Sequence, residues 1–185
     1  MVDPGAPGLD GAFPAVEPRD GHKKRDAHAR LVHGVIGEYG APEQRMCDNY
    51  RRYASDYPLI GTVLRSIAAQ GSPALVHCKN GKDRTGVLCA CALRIAGYSL
   101  DYIVADYLTT NAINAQAIER EAADLSQGMT VEEHAILMSF LEARESYLEA
   151  FFDEAVKRYG SFEAYVLRGL KLTSEQCGRL KEMLG

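Results

Sequence analysis

Apolar positions recur at helical spacing over most of the chain, and the interruptions are as informative as the period. From Met46 to Ala69, Tyr50, Tyr53, Leu59, Val63 and Ile67 fall near a 3.6-residue repeat, with Pro58 marking a break, so the pattern predicts a helix in two pieces. Gly71-Ser72-Pro73 ends it. The short apolar run Ala74-Leu75-Val76-His77 that follows has the character of a buried strand. A helix is expected from about Thr85 to Ala96, stopped by Gly97, and a second from Ser99, an N-cap followed by Asp101, through Tyr107. Beyond this point the chain reads as almost wholly helical. Thr130 with Glu133 forms a capping box, helical character runs on through Tyr147, Leu148, Phe151 and Val156 to Tyr159-Gly160, and Ser161 and Thr173 cap two short helices, Thr173 with Gln176 as a second capping box. Leu31-Val32-His33-Gly34-Val35-Ile36 suits a short strand or a helix equally.

The first 30 residues break the pattern. Four of the seven prolines and four glycines precede residue 22, and the basic cluster His22-Lys23-Lys24-Arg25 follows with no apolar period, so residues 1–30 are read as a mobile arm and 31–185 as one domain. The basic cluster is either a solvated patch or a docking site for acidic partners or a membrane surface. At 185 residues and 46% apolar content the chain can bury a sizeable core in a single domain.

Charge narrows the function. With 21 basic against 25 acidic residues, the chain has no excess positive charge for nucleic acid, and any phosphate-binding charge must be local. No run of 18 apolar residues exists, and Met1–Asp20 carries Asp, Pro and Gly where a signal peptide needs a continuous apolar segment, so a cytoplasmic protein with no integral membrane segment is expected. Cys47, Cys78, Cys89, Cys91 and Cys177 form no CxxC pair, which argues for a reducing compartment and against a disulfide framework or zinc. No metal and no cofactor is expected.

The segment His77-Cys78-Lys79-Asn80-Gly81-Lys82-Asp83-Arg84-Thr85-Gly86 carries the chemistry. It lies between an expected strand and an expected helix, so a phosphate placed there meets a row of backbone N–H groups and the positive end of the helix dipole. Gly81 lets the backbone curl, and Arg84 offers a planar fork to two phosphate oxygens. Five residues separate Cys78 from Arg84, enough to wrap the anion with sulfur beneath phosphorus. Such a cradle depresses the thiol pKa below about 8.5, making Cys78 a nucleophile at neutral pH that forms a phosphocysteine, later discharged by water. Asp83 can supply the leaving-group proton, or be a salt-bridge partner that orients Arg84. Thr85 can hydrogen-bond the sulfur. Lys82 attracts phosphate, while Lys79 faces either the mouth of the loop or solvent. Cys89 and Cys91 are read as packing residues, with protection of Cys78 by a disulfide to Cys89 or Cys47 as the minority reading.

These residues resemble the HCx5R signature of the protein tyrosine phosphatase superfamily. Cys-x-x-Gly-Lys-Asp-Arg-Thr-Gly is similar to a mostly microbial branch acting on phosphotyrosine, sometimes on phosphoserine or phosphothreonine, and on phosphoinositides. Asp106-Tyr107-Leu108-Thr109-Thr110-Asn111, Tyr147-Leu148 and Tyr159-Gly160-Ser161-Phe162 look like the helical C-terminal half of that branch, so the resemblance covers about residues 46–185. It implies Cys78, Asp83 and Arg84 as catalytic residues, with Asp83 in the acid role, and Lys79, Asn80, Gly81, Lys82, Thr85 and Gly86 around the substrate. It also implies an α/β fold with a small parallel sheet and a predominantly helical C-terminal half. The family's Arg-Asp-Leu-Gly-Gly stretch and most of its strands are not found ahead of Cys78, which leaves the sheet incomplete or completed by a second copy or a strand-donating partner.

Three functions compete. The first is a cysteine-dependent phosphatase acting on phosphorylated protein or phosphoinositide. The second is a phospho-ligand binding module derived from one, and the third a thiol redox or sulfur-transfer protein, for which Lys82 and Arg84 have no clear purpose.

Overall fold

The pair of helices expected on either side of Pro58 forms as α1 (Gln44–Asp56) and α2 (Leu59–Gln70). They belong to a computed structural model that describes residues 26–27, 30–32, 34 and 43–185. The segment 1–30, expected as a mobile arm, and its His22-Lys23-Lys24-Arg25 cluster lie outside the described residues, except that residues 26, 27 and 30 are described and helical; Leu31, Val32 and Gly34 are helical too.

Each helix forms for a local reason. Met46, Cys47, Tyr50 and Ala54 line the buried side of α1, and Ile60, Leu64 and Ala68 make an i, i+4, i+8 row on α2. Helix α3 (Asp83–Ala96) stops at Gly97, whose N–H donates to the carbonyls of Leu93 and Arg94. Ser99 caps α4 (Leu100–Ile113) by accepting from the Tyr102 N–H at 3.2 Å. After α5 (Ala115–Leu125), both arms of the Thr130–Glu133 capping box close on α6 (Val131–Leu141), at 3.2 and 2.8 Å. The helix expected to run on to Tyr159 is interrupted at Glu142–Arg144, and α7 (Glu145–Tyr159) begins anew. Ser161 caps the single turn α8 (Phe162–Ala164), which passes into a π-turn at Tyr165–Gly169, and the Thr173–Gln176 capping box opens α9 (Ser174–Leu184).

The main core surrounds α3. Val87, Leu88, Ala90, Cys91 and Ile95 of this helix are buried among Tyr50 of α1, Leu64 of α2 and Tyr147, Leu148 and Phe151 of α7. Helices α1 and α7 pack closely, with the Tyr50 and Tyr147 rings 5.4 Å apart between centroids. Leu64 is fully buried, and truncating it to alanine should cost about 2–5 kcal/mol. A smaller apolar cluster joins Val32 to Leu125, Ile136 and Leu137.

The expected fold class is corrected here. No strand and no parallel sheet is present among the described residues, which are mainly helical. Ala74-Leu75-Val76-His77, read as a buried strand, is irregular backbone with Leu75 93% exposed. A short apolar run becomes a strand only when a neighbouring strand accepts its backbone hydrogen bonds, and among the described residues this run has no such neighbour.

Candidate active site

Helix α3 begins directly after the loop that carries Cys78, so the first turn of the most central helix faces the thiol. Gly81 has φ of +67°, a left-handed conformation that other residues adopt at a cost, and it turns the chain back toward the helix start. Burial raises the pKa of the Cys78 thiol. Hydrogen bonds from the Thr85 side chain and from the backbone N–H groups of Thr85, Asn80 and Gly81 lower it and prevail, bringing it from an ordinary 9.0 to about 7. Cys78 therefore ionises closer to neutral pH than an ordinary cysteine. The Thr85 hydroxyl is buried and lacks full hydrogen-bond geometry to any partner, although it is the side chain that lowers the thiol's pKa.

Arg84 is exposed at the start of α3 and lines the same groove as Cys78 and Thr85. Among the described residues, no hydrogen bond or ion pair ties down its guanidinium. The groove encloses about 340 Å³ and is walled by Tyr57, Ile60, Val63 and Leu88, which gives the thiol an apolar approach on one side and a free cation at its rim. His77 is exposed beside it.

Lys82 and Asp83 sit differently from the rest of the loop. Lys82 is only 3% exposed, and its ammonium donates to the carbonyls of Phe140 at 2.6 Å and Glu142 at 3.1 Å, with Asp83 Oδ1 at 3.5 Å. Its three donors are thus directed inward, tying the loop to the linker between α6 and α7. Burial lowers its pKa, and the Asp83 carboxylate works against that shift. Asp83 Oδ1 also accepts a hydrogen bond of 2.9 Å from the Tyr50 hydroxyl, and the Tyr50 hydroxyl lies 2.6 Å from that of Tyr107.

Lys79 and Asn80 are exposed on the other flank, where with Lys82, Asn114, Ile118 and Glu121 they line a second cavity of about 280 Å³. Asn114 Nδ2 donates to the Asn80 carbonyl at 3.4 Å. Gly86, expected near the substrate, packs on Tyr107: a Cβ at this position would stand 2.7 Å from the tyrosine ring. All five cysteines are free. Cys91 is fully buried and Cys89 partly so, and burial raises both thiols, whereas Cys47 lies between α1 and α7 with its sulfur 3.7 Å from the Ser146 carbonyl. Among the described residues no group of three His, Cys, Asp or Glu side chains is arranged to hold a metal, and no helix is long and apolar enough to cross a membrane.

Tyr50, Tyr107 and the 140–144 linker were not apparent in the sequence as site residues. A tyrosine on an apolar stripe reads as core, and both tyrosines are indeed buried. The available signal is chemical: a buried phenol needs a hydrogen-bond partner, and a segment preceding a loop that carries Asp83 is one place to look for it.

Comparison with known proteins agrees with this geometry. Residues 13–185 match the model of the tyrosine phosphatase family. The chain is 31% identical over 170 residues to the triple specificity protein phosphatase PtpB of Mycobacterium tuberculosis, covering 82% of this chain and 61% of that protein. It is also 35% identical over 109 residues to a protein of Cupriavidus necator provisionally named a tyrosine-protein phosphatase, covering 59% of this chain and 39% of that one. The chain thus spans less than two thirds of either relative. Since the family match takes in the whole of the Cys78–Arg84 loop and all the helices around it, the chain belongs to the tyrosine phosphatase family.

Proposed function

We propose that this chain hydrolyses phosphate monoesters through a phosphocysteine on Cys78, with phosphotyrosine as a substrate. The observation that carries the reading is a thiol with a pKa of about 7 at the foot of a helix, ringed by backbone N–H groups and flanked by a free Arg84 guanidinium. Phosphate oxygens take hydrogen bonds from the loop N–H groups and two from Arg84, which gathers the charge that develops on the phosphoryl group. The Cys78 thiolate attacks phosphorus, an S–P bond forms and the P–O bond to the leaving group breaks. Asp83 gives its proton to the departing oxygen. Water then attacks phosphorus, Asp83 takes back a proton, the S–P bond breaks and inorganic phosphate leaves with the thiolate restored. Thr85 stabilises the sulfur in both steps. The groove past Tyr57, Ile60 and Val63 suits a flat aromatic leaving group, which favours phosphotyrosine over the smaller phosphoserine.

Phosphoinositides are a further substrate class on this reading, supported by exposed Lys79 and Asn80 beside the second cavity and by the printed description of PtpB as triple specificity. The test is hydrolysis of phosphotyrosine peptide, phosphoserine peptide and phosphatidylinositol phosphates in EDTA. Wild-type chain should release phosphate from the first at least. Cys78→Ser should lose turnover by roughly 10³-fold or more while still binding phosphate, since the N–H cradle remains. Residual activity of more than a few per cent in that variant would rule out the covalent route.

A further inference from the structure

A hydrogen-bond chain built from two buried tyrosines ends on Asp83. Its direction follows from counting protons. The Tyr50 hydroxyl has one proton and gives it to Asp83 Oδ1 at 2.9 Å, an oxygen that must accept because the Lys82 ammonium also stands 3.5 Å from it. The Tyr107 hydroxyl, 2.6 Å from that of Tyr50, must therefore be the donor between the two phenols. Tyr107 in turn accepts from the backbone N–H of Arg144. That linker is itself clamped: Asn111 accepts from the Ala143 N–H at 2.7 Å and donates to the Ala143 carbonyl at 2.8 Å, and the neighbouring carbonyls of Phe140 and Glu142 hold Lys82. Gly86 completes the device, because only a residue without a Cβ lets the Tyr107 ring lie on the first turn of α3.

We propose that Tyr50, set in place by Tyr107, is the positioning residue for the proton donor, forcing the transferable proton of Asp83 onto Oδ2. Oδ1 faces a phenol proton and an ammonium, so it stays an acceptor. Among the described residues no hydrogen bond or ion pair engages Oδ2, so it is the oxygen left to carry a proton for a leaving group. A carboxylic acid free to rotate would carry its proton on either oxygen and present the wrong one part of the time. Burial holds both phenols well above their usual pKa, with Asp83 adding to the shift at Tyr50, so they remain donors throughout the working pH range. The inference rests on Asp83 being the general acid, and it assigns to Tyr50 a role that acts only through that residue.

Tyr50→Phe keeps the ring in the core and removes only the donor. Measured on the full chain, it should lower kcat/KM for phenyl phosphate, a poor leaving group, by about tenfold while lowering that for para-nitrophenyl phosphate by less than about threefold. Tyr107→Phe should show the same selectivity at smaller size. In an Asp83→Asn background the Tyr50→Phe change should add no further selectivity. Thermal melts of each variant report whether the fold is intact, and the ratio of the two substrates is insensitive to the fraction folded. If Asp83→Asn alone slows both substrates equally, the acid assignment fails and takes this inference with it. If Asp83→Asn is selective but Tyr50→Phe slows both equally, or adds selectivity on top of Asp83→Asn, the acid stands and the positioning role of Tyr50 is wrong.

Discussion

The two sides of the Cys78–Arg84 loop are built on opposite principles. Its back is dry and crowded: Lys82 is 3% exposed, Tyr50 is fully buried, and the Lys82 ammonium and the Tyr50 and Tyr107 hydroxyls are each hydrogen-bonded. Its front is open. His77, Lys79, Asn80 and Arg84 are exposed, and Leu75 just upstream offers 93% of its surface to solvent. Cys78, the proposed nucleophile, stands on the boundary, held from behind and reachable from ahead. A site that binds one anion and releases another, as proposed for this loop, needs unpaired donors at its mouth, and these are kept aimed when the remaining groups of the loop are saturated elsewhere. Adjacent residues thus serve opposite ends, Lys82 turned inward as a tie and Arg84 left free.

The largest effect should come from the front. Arg84→Lys keeps the charge but loses the fork, and phosphatase activity should fall by about 10²- to 10³-fold with the unfolding midpoint unchanged. A loss under tenfold would mean that charge alone suffices at the mouth. On the back the same order of free energy should be read as stability. Lys82→Met leaves the Phe140 and Glu142 carbonyls without their donor and Asp83 without its cation, which should cost about 3 kcal/mol in urea unfolding. If that variant instead unfolds like wild type and loses phosphate affinity, Lys82 belongs to the front.

A smaller effect concerns the thiol on the boundary. Its pKa lies below the ordinary value, so thiolate is populated above about pH 7 and lost as pH falls through it. The rate of alkylation of Cys78 by iodoacetamide should therefore rise with a midpoint near pH 7, and at pH 7 should exceed that of an ordinary thiol by about tenfold. Thr85→Ala removes one of the groups that lower this pKa and should move the midpoint upward. An unmoved midpoint would assign the shift to the backbone N–H groups alone. The smallest effect should come from Leu75→Ala, which removes a side chain that touches little and should change stability by less than about 0.5 kcal/mol. A cost near 2 kcal/mol would show that the front is covered in solution and that the contrast between the two sides is weaker than drawn.

How much of this could be read from the chain depends on the range of the forces involved. Ser99, Thr130 and Thr173 announce helix starts, and Gly97 and Gly160 announce stops, because a cap acts within four residues of itself. The sequence of Cys78–Gly86 likewise placed a loop ahead of a helix, and the N–H groups proposed to cradle an anion belong to that same short stretch. Two expectations fell outside that range. Ala74-Leu75-Val76-His77 has a strand's composition, but pairing is supplied by another segment, and no such segment lies beside it among the described residues. The helix expected to run unbroken to Tyr159 is broken at Glu142–Arg144, where Asn111, 32 residues away, takes the Ala143 backbone for itself.

By itself, then, the sequence determined where the helices capped by Ser99, Thr130 and Thr173 begin and where Gly97 and Gly160 stop two others, which loop carries the thiol, and which residue types stand around it. Tertiary structure alone decided that Lys82 turns inward, that Gly86 makes room for Tyr107, and that Tyr50, 33 residues from Asp83, reaches its carboxylate. The physical reason is that a lysine or a tyrosine carries its polar group at the end of a long side chain. Its partner is chosen by whatever backbone the folded chain brings within 3 Å, and local sequence does not encode that meeting.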